Sequence, residues 1–193
     1  MVVVYMKIGK TVFILLFCSL YQMIVPAQAA ASGLLQEAIT KTAANVVFMR
    51  HALAPGYGDP AAFQIDKCST QRNLNKAGRQ QARATGQYLR GNKFVFDAIL
   101  SSQWCRCKHT AELLGVGSWT EFQGLNSFYE GHANRADTLD RLQQKLDRLP
   151  VDTLVLMVTH QVVISAITEI APASGGFVVY NTKTKKAKSV QLF

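Results

Sequence analysis

Acidic side chains are scarce in this sequence, 12 against 21 basic ones, and only 17% of its 193 residues are charged. With 49% hydrophobic residues the chain can build one proper core, and the length leaves little room for a second. Disordered and fibrous architectures are thereby excluded. Internal repeats and low-complexity tracts are lacking as well. So is an apolar run long enough to span a membrane: Val12 to Val25 is fourteen residues and contains Ser19 and Gln22, whereas a spanning helix needs about 20. Lys7 and Lys10 precede that run, and Pro26, Ala27, Gln28 and Ala29 supply a small-residue A-x-A site after it, the layout of a secretory signal peptide. A lipoprotein would want a small residue before Cys18, where Phe17 stands. The expected organisation is a signal peptide over 1–29 and one domain over 30–193, periplasmic or secreted, with no stable membrane anchor after cleavage. The mature chain keeps 19 basic and 12 acidic side chains, a charge of +7.

Cysteine is sparse too. Cys68, Cys105 and Cys107 survive cleavage, so one disulfide is expected in an oxidising compartment, Cys68 with Cys105 or Cys107, leaving one thiol buried or free. Cys105, Cys107 and His109 are of zinc-ligand type, but they lack the C-x₂₋₄-C spacing and lie on one helical stretch whose neighbours point apart. No metal site and no cofactor are expected.

What is present is an alternation of strands and helices. After a helical lead-in at Leu34 to Thr40, Asn45 to Met49 is a continuous apolar run of buried-strand type ending at Arg50 and His51. A loop rich in Pro55, Gly56, Gly58, Asp59 and Pro60 leads to a helix capped by Asn75, running from Lys76 to about Arg90 and closed by Gly91. Phe94 to Leu100 predicts a second strand ending in Ser101 and Ser102, and Gln103 to Leu114 a second helix before Gly115. The stretch Val116 to Gly131 shows no clean period. Asn134 caps a helix with the stripe Leu139, Leu142, Leu146 and Leu149, ended by Pro150. Thr153 to Val158 predicts a buried strand stopping at Thr159 and His160, Val162 to Ile170 a helix, and Gly176 to Tyr180 and Ser189 to Phe193 short strands around a basic turn.

This pattern predicts a single-domain, three-layer α/β/α fold with a mostly parallel sheet. Ligands in such sheets sit beyond the carboxyl ends of the strands. Three strand ends therefore bring together Arg50 and His51, then Ser101, Ser102 and Arg106, then Thr159 and His160. Two guanidiniums match the oxygens of a phosphoryl group. An imidazole held neutral beside them, with one nitrogen bound to a backbone carbonyl, presents its other nitrogen as a nucleophile toward phosphorus.

Four segments carry a specific resemblance. Arg50-His51-Ala52 after a strand is similar to the Arg-His-Gly signature of the histidine phosphatase superfamily, branch 1, whose fold is that of phosphoglycerate mutase. Leu74 to Ala82 resembles its L-T-x-x-G-x-x-Q-A helix, Ser101 to Ala111 its S-S-x-x-x-R-x-x-x-T-A segment, and Val158-Thr159-His160 the strand ending in the second His. The resemblance implies a phosphatase with a phosphohistidine intermediate on His51, a pocket completed by Arg50, Arg106 and His160, and Arg72 or Asn73 reaching the phosphate. Two departures stand out. Ala52 replaces glycine, which costs little unless the position needs positive φ. Ser127 falls where a general-acid Glu is often found, so Glu130 becomes the expected acid, with Asp59 and Asp66 as alternatives.

Several residues have plainer roles. His109 and His132 are expected on the surface or in packing, and Trp104 in either the pocket or the core. Lys183, Lys185, Lys186 and Lys188 form a basic tract without interleaved aromatics, which argues for a solvated turn and against nucleic-acid binding. The partner expected is a small phosphorylated substrate or a phosphorylated envelope component. A mutase is disfavoured, because it would need a phosphorylated cofactor that an exported protein seldom meets. A second function remains open, that of a catalytically weak binder of a phospho-ligand.

Overall fold

The computed structural model describes residues 33–193; the expected signal segment lies outside the described residues. Alternating apolar and helical segments fold as β1 (Val46–Arg50), β2 (Ala98–Ser101), β3 (Thr120–Glu121), β4 (Val155–Thr159), β5 (Phe177–Tyr180) and β6 (Ala187–Val190). Between and around them run α1 (Leu34–Thr42), α2 (Lys76–Gly91), α3 (Cys105–Leu114), α4 (Arg135–Asp147) and α5 (Gln161–Thr168). The six strands form one sheet in the order β3-β2-β4-β1-β5-β6. β1 and β2 flank β4 in parallel, β3 lies parallel to β2, and β5 joins β1 antiparallel.

The strands' period of two divides the core into two layers. Val47, Met49, Leu156, Val158, Phe177 and Val179 face α1, α2 and α3 through Leu35, Leu89, Cys107 and Leu114. Val46, Phe48, Val155, Met157 and Val178 face α4 and α5 through Leu142, Leu146, Val163 and Ile164. Both faces of the central strands are covered, which is why they read as continuous apolar runs. The expected three-layer α/β/α domain with a mostly parallel sheet is what forms.

The expected caps are made. Asn75 Oδ1 accepts the Gly78 N–H at 2.8 Å, and Asn134 Oδ1 the Asp137 N–H at 3.1 Å. The second strand is shorter than its apolar run. Lys93, at φ 57°, turns the chain out of α2, the Phe94 N–H closes onto Leu89 O at 3.0 Å, and Phe94 packs on Tyr88 and Phe96, so pleated pairing starts only at Ala98. The two-residue strand β3, on the edge of the sheet, is too short to carry a period and went unpredicted. The last strand lies two residues earlier than expected, because Asn181 Oδ1 gathers the N–H groups of Lys183 and Thr184 into a tight turn. The four lysines of that tract are exposed.

Candidate active site

Loops leaving β1, β2 and β4 meet at a cavity of about 280 Å³, whose lining includes Arg50, His51, Arg72, Arg106 and His160. The backbone around His51 is over-determined. Its N–H donates to Thr159 O at 2.9 Å, and its carbonyl accepts from Gly175 at 3.1 Å. The Ala52 N–H donates to Thr110 Oγ1 at 3.0 Å, and the Leu53 N–H to Gln81 Oε1 at 2.9 Å. Gln81 donates in turn to Ser174 O at 2.8 Å. Gly78 lets α2 come close: a Cβ there would stand 1.9 Å from Leu53 O. The polar and small residues of the α2 and α3 segments thus brace the turn that carries His51. Ala52 is fully buried and is not among the residues with positive φ, so alanine serves there without strain.

His51 is 2% exposed, with Nδ1 2.8 Å from Ala52 O. That contact places the ring proton on Nδ1 and leaves Nε2 as an acceptor, which receives Arg106 Nε–H at 3.2 Å. Burial first, and then the Arg106 charge, pushes the His51 pKa well below 6.5. His160 lies beside it, ring centroids 5.4 Å apart, and burial, Arg106 and His51 lower its pKa likewise. Its Nε2 is 2.9 Å from Ser102 Oγ and 3.4 Å from Cys107 Sγ. Ser102 Oγ is also 3.2 Å from Asn126 Oδ1, so its single proton serves one of them. When His160 Nε2 accepts it, the ring proton sits on Nδ1. Burial pushes the Cys107 thiol up to about 12, so it stays protonated.

Arg106 is as buried as the imidazoles, and Asp59 is its partner. Arg106 Nη1 donates to the two carboxylate oxygens at 2.9 and 3.1 Å; Trp104 Nε1 donates to one of them at 3.0 Å and the Arg72 N–H to the other at 2.9 Å. Burial alone would raise the Asp59 carboxyl, but the Arg106 charge and these hydrogen bonds outweigh it and hold it below the usual carboxylate range. Arg50 Nη1 donates to Pro172 O at 3.0 Å, while its Nε is buried without a hydrogen-bond partner among the described residues. Arg72 donates from Nε to Gly58 O at 2.8 Å and from Nη1 to Ala54 O. Burial and the Arg106 charge lower the pKa values of Arg50 and Arg72, the signature of crowded cations that a bound anion would relieve.

Arg50, His51, Arg72, Arg106 and His160 are therefore gathered as expected. Two expected residues are not. Asn73 spends its amide on Cys68 O at 2.6 Å and Gln71 O at 2.8 Å, and so closes the turn ahead of α2 instead of lining the cavity. Glu130 is exposed and bent back at φ 59°; its carboxylate rests on Gly58 and accepts the Asp59 N–H at 3.3 Å, outside the lining. Of its alternatives, Asp59 is committed to Arg106, and Asp66 is not among the lining residues. No carboxylate of the described residues lines the cavity. Trp104 is core, stacked on Phe63 with its edge toward His160. His132 packs on Phe63. Sequence reasoning missed Tyr57, Tyr129, Gln161 and Val162 in the lining, because they sit in loops or at a helix start where no spacing signals a wall. The disulfide joins Cys68 to Cys105, and Cys107 is the buried free thiol.

Residues 46–139 match the sequence profile of the histidine phosphatase superfamily (branch 1). The chain belongs to that superfamily. Among curated proteins no sequence matches it. Solved structures resemble this histidine phosphatase domain at the level of fold. The protein histidine phosphatase SixA complexed with tungstate is 19% identical, with a TM-score of 0.51 over 76% of this chain and 94% of that one. A phosphoserine phosphatase from Entamoeba histolytica in complex with 3-phosphoglyceric acid is 17% identical, with a TM-score of 0.51 over 76% and 94%. The product of the open reading frame Rv3214 from Mycobacterium tuberculosis is 18% identical, with a TM-score of 0.56 over 76% and 95%.

Proposed function

We propose that this protein is a metal-independent phosphatase that hydrolyses a phosphomonoester or phosphoramidate through a phosphohistidine on His51. The observation that carries the proposal is the convergence of three guanidiniums and two buried imidazoles on one small cavity. The phosphoryl group is held by Arg50, Arg72 and Arg106, whose donors include Arg50 Nε, unpartnered among the described residues. Its oxygens draw the Arg106 N–H off His51 Nε2, and that nitrogen, with its ring oriented by Ala52 O, attacks phosphorus. His160, whose ring proton sits on Nδ1 when Nε2 accepts from Ser102, stabilises charge on the transferring group. Water then attacks the phosphohistidine, the P–N bond breaks with its electron pair returning to Nε2, and inorganic phosphate leaves.

Export belongs to the same proposal, with a signal peptide over 1–29 and a small phosphorylated substrate or phosphorylated envelope component outside the cytoplasm. A second reading, that of a weak catalyst that binds a phospho-ligand, is favoured by one observation, the lack of a carboxylate among the cavity's described lining residues. One assay separates the two. A chromogenic phosphate ester is hydrolysed in the presence of chelator, and His51→Ala lowers the rate by on the order of 10³-fold or more. Equal release by wild type and His51→Ala would refute the enzyme. An acid-labile phosphate trapped on His51 identifies the intermediate.

A further inference from the structure

The cavity lining includes residues that the phosphoryl chemistry does not use. Tyr57, 96% exposed, stands between Gly56 and Gly58, both at positive φ, and Tyr129, 48% exposed, stands beside Glu130. Both tyrosines line the cavity with the cationic residues. Their loops are latched together directly behind them, where the Glu130 carboxylate lies over Gly58 and accepts the Asp59 N–H. A Cβ on Gly58 would stand 2.1 Å from that carboxylate, so the glycine is needed for the latch to close. An aromatic side chain left almost wholly in water at the mouth of a charged pocket has no packing role in the fold, yet it offers a flat apolar face to whatever departs from the phosphoryl group.

We propose that Tyr57 and Tyr129 receive a flat aromatic leaving group, and that the substrate class is an O-phosphorylated phenol ring, as in an aryl phosphate or a phosphotyrosine side chain. The inference rests on the phosphatase reading and narrows it. Two observations select this class. No carboxylate among the described lining residues stands ready to protonate a leaving oxygen, and general-acid help is worth about 10² to 10⁴ in rate. A leaving group that departs unprotonated is therefore favoured, and a phenol, with a pKa near 10, departs far more readily than an alkyl alcohol, whose proton is held about as tightly as that of water. The surplus of guanidinium charge favours departure as an anion over a ring nitrogen that must first gain a proton. As His51 Nε2 bonds to phosphorus, the P–O bond breaks, its electron pair stays on the phenolate oxygen, and solvent returns the proton.

The test compares kcat/KM of the mature protein for phenyl phosphate, a phosphotyrosine peptide, glycerol phosphate and N-phosphorylated imidazole. The aryl esters are expected to exceed the alkyl ester by at least about 10²-fold. Tyr57→Ala and Tyr129→Ala are each expected to raise KM for phenyl phosphate by roughly tenfold, as the loss of one ring contact predicts, while Tyr57→Phe retains it. Far-ultraviolet circular dichroism and the melting temperature confirm that each variant is folded. An alkyl ester cleaved within tenfold of the aryl ester, N-phosphorylated imidazole cleaved tenfold faster, or an aryl KM unmoved in both alanine variants overturns the assignment. A lower alkyl rate in Glu130→Gln would make Glu130 the acid and overturn it too. If no substrate releases phosphate and His51 carries none, it is the phosphatase reading that has failed.

Discussion

His51 and His160 are each less than 4% exposed and sit among three guanidiniums, so the folded protein keeps both imidazoles neutral at a pH where the unfolded chain would protonate them. The direction of the linkage follows. Both folded pKa values lie well below 6.5, so as pH falls through 6.5 the unfolded state binds protons that the folded state refuses, and stability declines. The slope approaches about 1.4 kcal/mol per pH unit for each histidine. Asp59 does not offset this, because its carboxyl, held below 3.8, contributes stability that is lost only at more acid pH. Urea unfolding midpoints should fall between pH 6.5 and pH 5 in the wild type. They should fall less in His160→Gln. A pH-independent midpoint in that window would contradict neutral imidazoles. Of these residues, Arg50, His51, Arg106 and His160 were legible from their place after strands, whereas the partnership of Asp59 with Arg106 was not, since 47 residues of chain separate them.

Between the turn ahead of α2 and the first residue of α3, the Cys68–Cys105 disulfide ties the loop that carries Asp59 and Arg72 to the helix whose next residue is Arg106. Its closed loop spans a sequence separation of 37, which in the chain-entropy picture corresponds to about 4 kcal/mol. Reduction, or the pair Cys68→Ser and Cys105→Ser, should lower the melting temperature by roughly 10 °C, and should raise KM for the phosphate ester by releasing the Arg72 side of the cavity. An unchanged melting temperature on complete reduction would show that the bridge carries no stability. The sequence left two pairings open because Cys105 and Cys107 are two residues apart, and on a helix such neighbours point in different directions. Packing decided between them: Cys107 faces the core beside Leu114 and Leu156, and Cys105 faces the loop.

For the molecule as a whole, the sheet order β3-β2-β4-β1-β5-β6 puts the ends of β2, β4 and β1 side by side, and from those ends the functional residues project. The segment expected as a signal peptide, 1–29, precedes α1 in the chain. If that segment is a signal peptide, protein recovered from the envelope fraction should begin at Ala30, as terminal sequencing would read directly. A mature chain that begins at Met1 would exclude cleavage. What the sequence determined by itself was whatever depends on local order: strand and helix periods, the Asn75 and Asn134 caps, and the placing of Arg and His at strand ends. Tertiary structure decided what depends on distant segments meeting, namely the Asp59–Arg106 pair, the exclusion of Glu130 and Asn73 from the cavity lining, and the presence of both Tyr57 and Tyr129 in it. Period and propensity act over a few residues, but a loop's course is set by the atoms it meets, and these lie far away along the chain.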